Sequence, residues 1–146
     1  MIDPFEAGPQ RVAIEPASAD GFETRDQGFQ RRDREGEAMR LDGKYNGQQI
    51  VPKAFVDEVR RGGDRQQFSG AGYRMLPGGS YRSMWWVLHN EHGAYSARGI
   101  HGQAIYVDPA AEMVIARFGS HPMGANSNLD PMSLPAYDAH ARHLMK

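Results

Sequence analysis

The sequence predicts an α+β fold, in which an antiparallel β-meander is flanked by helices. Three observations favour this class. The second half of the chain contains apolar and aromatic runs of strand length, turn residues separate those runs, and helical patterns precede and follow them. With 146 residues, 40% of them apolar, the chain has the size of one domain.

Two helices are predicted on either side of the sheet. The segment from Val51 to Arg61 begins with a proline in its first turn and ends before two glycines, and Phe55, Val56 and Val59 form its apolar face. The amphipathic tail from Asp130 to Lys146 predicts a closing helix. Its expected core contacts are Leu134, Tyr137 and Leu144.

Three strands are predicted between these helices. They are the runs Ser83–His89, Ala94–Val107 and Glu112–Phe118. Asn90–Gly93 is expected to form the first turn, and Asp108-Pro109 to open the second. The last two strands are therefore expected to pair antiparallel.

The N-terminal part differs in composition from the rest. Nine of the fifteen residues from Glu23 to Glu37 are charged. Such a stretch buries too little apolar surface to offset its chain entropy, which predicts a solvated or disordered segment. We therefore divide the chain into a polar segment, 1–36, and a folded α+β region, 37–146.

Composition argues against several classes of function. The net charge of −1 gives no basic footprint for nucleic acid or an anionic membrane. The absence of cysteine excludes disulfides, thiolate metal sites and a cysteine nucleophile. No apolar run reaches the ~18–20 residues of a membrane span, and the first residues do not resemble a signal peptide. We expect a cytoplasmic protein that binds no cofactor.

The histidines and glycines do not form a known catalytic motif. His89-Asn90-Glu91-His92 lacks the spacing of a zinc protease, and we interpret it as a solvated turn that binds no metal. His140 and His143 suit the C-terminal end of the last helix. The glycines between Phe68 and Gly79 fit no phosphate-binding fingerprint and predict a loop. No serine is followed three residues later by lysine.

Four segments, in their order and spacing, carry a resemblance to a known family. In Ala97–Pro109 (ARGIHGQAIYVDP), a glycine precedes an Asp-Pro turn by nine positions. The segment resembles the strand of serine β-lactamases, penicillin-binding proteins and related esterases that begins with Lys-Thr-Gly or His-Thr-Gly. Gly43–Pro52 and Arg32–Leu41 are similar to the Asn-Gly-x-x-Ile connector of that superfamily and to the helix before it. Ser80–Val87, with paired tryptophans, is most similar to the branch that hydrolyses 6-aminohexanoate oligomers.

The resemblance implies amide or ester hydrolysis through an acyl-enzyme and assigns roles to four residues. The backbone N–H of Ile100 would be one of two donors to the oxyanion, and Gly99 would leave room for substrate. Trp86, with Trp85 as the weaker alternative, would line the substrate cleft. The alternative is that one or both belong to the core, since alternating residues on a buried strand are more often core. Arg98 stands where the family has threonine, and we assign it to substrate binding.

The resemblance covers only the C-terminal third of such an enzyme and leaves two hypotheses. The family's Ser-x-x-Lys nucleophile and tyrosine base precede the matched part, so the chain alone is expected to be inactive. It is either a portion of a serine hydrolase that needs a complementary upstream fragment, or a non-catalytic binding or structural domain. In the family an N-terminal strand covers the strand equivalent to Glu112–Phe118, so we expect a homodimer or a complex with that fragment.

Overall fold

The computed structural model describes residues 27–146 of the chain. The predicted α+β class is confirmed. The helices and strands follow one another in the order α1 (Gln27–Arg40), β1 (Lys44–Tyr45), β2 (Gln48–Gln49), α2 (Lys53–Arg61), α3 (Arg65–Gly70), β3 (Ser80–Arg82), β4 (Trp85–Val87), β5 (Tyr95–Arg98), β6 (Ala104–Asp108), β7 (Met113–Arg117), a 3-10 helix (Asn126–Asn128) and α4 (Asp130–Leu144).

A five-stranded antiparallel sheet is the centre of the fold. Its strand order is β3-β4-β5-β6-β7, so each strand pairs with the next one along the chain. The central core contains Trp85, Tyr95 and Val107 of the sheet, with Val56 and Val59 of α2 packed against them. The predicted apolar face of α2 is therefore buried, except that Phe55 is 37% exposed.

Helix α1 crosses the predicted boundary between residues 36 and 37. It packs against β6 and β7, where Gly36, Ala38 and Met39 are buried. Arg32 lies at the edge of this contact, with its guanidinium 4.7 Å from the centroid of the Phe118 ring. The expected solvated segment is thus helical from Gln27 onward, because small residues face the sheet while charged side chains lie around them. The remainder of that prediction, residues 1–26, falls outside the described residues.

The predicted strand Ser83–His89 is wrong at its beginning. Ser83 and Met84 form the turn between β3 and β4, with φ values of 49° and 70°. Only Trp85–Val87 of the predicted run is strand, and β3 was not predicted. Neither residue is a glycine, asparagine or aspartate, the residue types that most often adopt a positive φ. The sequence pattern therefore does not predict this turn.

The predicted long strand Ala94–Val107 is also wrong. It consists of two antiparallel strands, β5 and β6, joined by a turn in which His101 and Gly102 have φ values of 56° and 83°. The second predicted hairpin is confirmed, since β6 pairs with β7 across the turn that follows Asp108-Pro109. No helix is present over residues 100–107.

Two further expectations need correction. The segment predicted as a loop begins with the end of α3, in which Phe68 is buried and Asp64 accepts hydrogen bonds from the first turn. The closing helix is confirmed as α4, and Tyr137 packs on a second core cluster, but Leu144 is 50% exposed.

No helix between residues 27 and 146 combines the length and apolar character needed to cross a bilayer.

Candidate active-site cleft

A cleft of about 660 Å³ lies beside the β5–β6 turn. One wall comes from the segment after α3, another from the ends of β4 and β5, and a third from the loop before α4. The lining residues are Gly72, Tyr73, Arg74, Met75, Leu76, Trp86, Arg98, Gly99, Ile100, Gly124, Ala125, Asn126, Ser127 and Asp130. Most of this lining is apolar, and the cleft is large enough for a small organic molecule.

The four residues assigned from the sequence all line this cleft. Trp86 lies on β4, Arg98 ends β5, and Gly99 and Ile100 begin the following turn. Strand pairing explains their proximity. β4 and β5 are adjacent antiparallel strands, and Trp86 pairs with Ser96, which lies two residues before Arg98. The structure therefore brings the candidate residues together, while their roles toward a substrate stay predictions.

The turn at Gly99–Gln103 leaves one backbone donor unpaired at the cleft. The Gly99 N–H donates to the Gln103 carbonyl at 2.8 Å, and the Gln103 N–H donates to the Ile100 carbonyl at 3.1 Å. The His101 N–H donates to the Gly124 carbonyl at 3.0 Å. Between residues 27 and 146, the Ile100 N–H has no hydrogen-bond partner. Because Ile100 lines the cleft, this N–H is the candidate donor to an acceptor that binds there.

Alternation along β4 separates the two tryptophans. Trp85 is buried in the core, where its ring meets the Tyr95 ring edge-on with centroids 5.4 Å apart. Trp86 is on the opposite face, lines the cleft and has a similar edge-on contact with Tyr81 at 4.7 Å. The predicted preference for Trp86 as the cleft residue follows from this period-two geometry.

The Arg98 side chain forms an ion pair and a ring contact with other residues of the protein. Its guanidinium donates to Asp130 at the start of α4, and the two side chains are only 9% and 10% exposed. The guanidinium carbon also lies 5.8 Å from the centroid of the Trp86 ring. Burial and pairing make Arg98 a link between β5, β4 and α4, with little of its charge available to a ligand.

The histidines near the first turn contact different partners. His89 Nε2 and the Ser80 hydroxyl share a hydrogen bond of 2.7 Å, and His92 Nδ1 lies 2.9 Å from Asp108 Oδ2. Burial, with a smaller effect of the Arg65 charge, lowers the pKa of His89. Ser80 is fully buried, so this Ser–His pair cannot meet a substrate. Within the described part of the chain, no three metal-ligating side chains cluster together.

Sequence reasoning missed Asn126, which also lines the cleft. Its side-chain amide donates to the Gly99 carbonyl at 2.6 Å. The two residues are 27 positions apart, and the loop that contains Asn126 carries no motif. A hydrogen bond between distant segments leaves no local periodicity that would reveal it.

The fold matches part of a solved structure. A putative 6-aminohexanoate-dimer hydrolase from Bacillus anthracis superposes with a TM-score of 0.61 and 31% sequence identity, over 79% of this chain and 28% of that one. The shared part is thus an α+β portion of a β-lactamase-like enzyme, and it includes the five-stranded antiparallel sheet.

Sequence comparison identifies the same kind of relative. The chain is 38% identical over 86 residues to the 6-aminohexanoate-dimer hydrolase of Paenarthrobacter ureafaciens, which corresponds to 58% of this chain and 22% of that protein. No model of a protein family matches the chain. The chain is therefore partially homologous to 6-aminohexanoate-dimer hydrolases, and it spans less than a third of the length of either relative.

Proposed function

We propose that this chain is the cleft-bearing C-terminal portion of a β-lactamase-type serine hydrolase that cleaves amides or esters. One observation carries the proposal: the Ile100 N–H is unpaired among the described residues and belongs to a residue that lines the cleft. The same peptide was assigned to the oxyanion site from sequence alone. The partial homology to 6-aminohexanoate-dimer hydrolases supports the same reaction class.

In this reaction a serine hydroxyl passes its proton to a general base and attacks the acyl carbonyl, whose oxygen becomes negatively charged in the tetrahedral intermediate. Two N–H donors stabilise that charge, and the Ile100 N–H supplies one of them. A single donor of this kind is worth about 10²–10³ in rate. As the intermediate collapses, its bond to the leaving group breaks, and that group takes the proton from the base and departs as an amine or alcohol. The acyl-enzyme that remains is then hydrolysed by water.

The nucleophile must come from outside this sequence. No Ser-x-x-Lys occurs in it, and Ser80, the serine hydrogen-bonded to a histidine, is buried. An oxyanion donor without a nucleophile cannot form an acyl-enzyme. We therefore expect the isolated chain to have no amidase, esterase or β-lactamase turnover and no serine that reacts stoichiometrically with a fluorophosphonate. Such labelling, coupled to ester hydrolysis, would contradict this expectation.

The proposal is tested with a chimera. Residues 27–146 replace the corresponding part of the putative Bacillus anthracis hydrolase, and hydrolysis of a p-nitrophenyl ester is measured for the chimera and for its unmodified parent. We expect turnover in the chimera. In it, Ile100→Pro removes the N–H and should reduce kcat by about 10²–10³, whereas the matched variant Ile100→Ala retains the N–H and should keep most of the activity.

Two results would overturn the proposal. One is a folded chimera, by circular dichroism, in which fluorophosphonate labels the nucleophile but the ester is not hydrolysed. The other is equal activity of the Ile100→Pro and Ile100→Ala variants. The first result would favour a non-catalytic binding or structural domain derived from the same fold.

A further inference from the structure

The peptide group between Gly99 and Ile100 is held from one side by a side chain of a distant loop. Asn126, the first residue of the 3-10 helix, donates its amide N–H to the Gly99 carbonyl at 2.6 Å. The neighbouring backbone groups are fixed as well, since the Gly99 N–H and the Ile100 carbonyl both bond to Gln103. The Ile100 N–H is thus the only hydrogen-bonding group of this peptide unit left open in residues 27–146.

Peptide geometry couples the two ends of this group. The structure describes no cis peptide bond in residues 27–146, so the Gly99 carbonyl and the Ile100 N–H point in opposite directions. When Asn126 holds the carbonyl oxygen, it also sets the direction of the N–H. A rotation of the peptide plane that turned the N–H away from an oxyanion would have to break the 2.6 Å hydrogen bond.

The same hydrogen bond strengthens the donor. A carbonyl that accepts a hydrogen bond polarises its amide, and the N–H of that amide becomes a better donor, by about 10–30% per bond. Asn126 therefore affects both the direction and the strength of the Ile100 N–H without touching the reacting atoms.

The loop that carries Asn126 is itself attached to the turn. The His101 N–H donates to Gly124, the His121 N–H donates to the His101 carbonyl, and His101 Nδ1 lies 2.7 Å from the His121 carbonyl oxygen. These contacts hold the loop and the turn in one arrangement, so the Asn126 amide meets a carbonyl that is already positioned.

We propose that Asn126 is a positioning residue for the oxyanion donor. The effect of Asn126 on the reaction rate depends on the proposed function. The orientation of the Ile100 N–H does not, because it is a property of the isolated chain and is measured separately. The chain also offers a matched control. Asn128 belongs to the same 3-10 helix and donates to the Ala125 carbonyl at 3.1 Å, away from the turn.

The first experiment uses the full chain labelled with ¹⁵N. In Asn126→Asp the shape is retained but the donor is lost, and in Asn126→Ala the side chain is removed. We expect both variants to change the residual dipolar coupling of the Ile100 N–H and to lower its order parameter from about 0.85 to below about 0.6. The control Asn128→Ala should leave both quantities unchanged, and a folded spectrum elsewhere shows that the effect is local.

The second experiment places the same variants in the active chimera. A misplaced oxyanion donor weakens the transition state, so Asn126→Asp and Asn126→Ala should lower kcat about 10–100-fold. KM for the ester should change less than about twofold, because the ground-state carbonyl gains little from the donor. A purely structural role would lower the active fraction without changing kcat per labelled serine.

The outcomes separate the two proposals. An unchanged Ile100 N–H in both Asn126 variants would overturn the positioning role, whatever the chimera does. An equal loss of kcat in Asn128→Ala would overturn it as well. If the unmodified chimera is inactive while the Asn126 variants still reorient the N–H, the proposed function fails and the structural assignment of Asn126 stands.

Discussion

Gly62 is placed where both backbone and packing require glycine. It ends α2 with φ and ψ of 74° and −170°, a combination essentially restricted to glycine. A β-carbon here would lie 2.1 Å from Ser80 Oγ and 2.9 Å from His89 Nε2. Because those two atoms share a hydrogen bond, any side chain at Gly62 would strain the backbone and separate the pair.

We expect Gly62→Ala to lower the free energy of unfolding by about 2–4 kcal/mol, as backbone strain adds to the disturbed hydrogen bond. Gly47→Ala is the matched control. Gly47 also has a positive φ of 77°, but a β-carbon there meets nothing within 4 Å, so only the backbone cost of about 1–2 kcal/mol is expected. Urea unfolding measures both variants, and equal losses would contradict the packing argument.

The Arg98–Asp130 pair supports a prediction about buried charge. Removing the acid in Asp130→Ala leaves the guanidinium of Arg98 buried without its counter-charge, which typically costs about 3–5 kcal/mol. Asp138→Ala is the control on the same helix, since its pair with Arg142 is exposed and should contribute little. Thermal unfolding compares the two. Similar midpoints would show that the Arg98 pair is not a structural link.

At the scale of elements, α1 approaches the sheet through a glycine. A β-carbon at Gly36 would lie 2.4 Å from Val114 Cγ1 and 3.0 Å from Ile105 Cγ2. Helix propensity favours alanine over glycine by about 1 kcal/mol, so packing and propensity oppose each other at this position. The close approach of α1 to β6 and β7 therefore favours glycine over alanine at position 36.

This opposition predicts non-additive mutations. Gly36→Ala alone should lower the free energy of unfolding by about 1–2 kcal/mol, since overpacking outweighs propensity. In a Val114→Ala background the 2.4 Å contact is removed and only the 3.0 Å approach to Ile105 Cγ2 remains, so Gly36→Ala should cost less there than in the unmodified chain. A double-mutant cycle by urea unfolding gives the coupling energy. Additive changes would mean that α1 does not pack on β7 at Gly36.

At the scale of the whole molecule, β7 is an edge strand. Within the described residues, it pairs only with β6, and four of its five residues, Met113–Ala116, are apolar. An edge of this kind presents backbone N–H and C=O groups to another strand.

We therefore expect the isolated chain to associate through β7, as a homodimer or with a complementary hydrolase fragment. Light scattering at micromolar concentration should give a mass above that of one chain, and β7 amides should gain protection from hydrogen exchange as concentration rises. Amides of the central strand β5 serve as the internal control, since they should be protected at every concentration. A stable monomer with unprotected outer β7 amides would refute the expectation.

The sequence by itself determined the elements whose signals lie within a few neighbouring residues. Asn46-Gly47 forms the turn between β1 and β2, and Asp108-Pro109 opens the predicted turn after β6, because these residue types favour turn backbone angles. The helix after Val51 and the α+β class were predictable for the same reason. The segment around Gly99 and Ile100 is also contiguous, and its resemblance to the β-lactamase-type strand is what implies the oxyanion role.

Only the tertiary structure decided the features that depend on distant contacts. Ser83 and Met84 form a turn although their residue types do not favour one, because β3 and β4 pair on either side of them. The charged segment that contains Gly36 is helical because β6 and β7 offer a surface that a glycine can approach. Asn126 reaches the Gly99 carbonyl across 27 residues. Local propensities act over a few residues, whereas these contacts exist only after the sheet has assembled, so no neighbouring residues encode them.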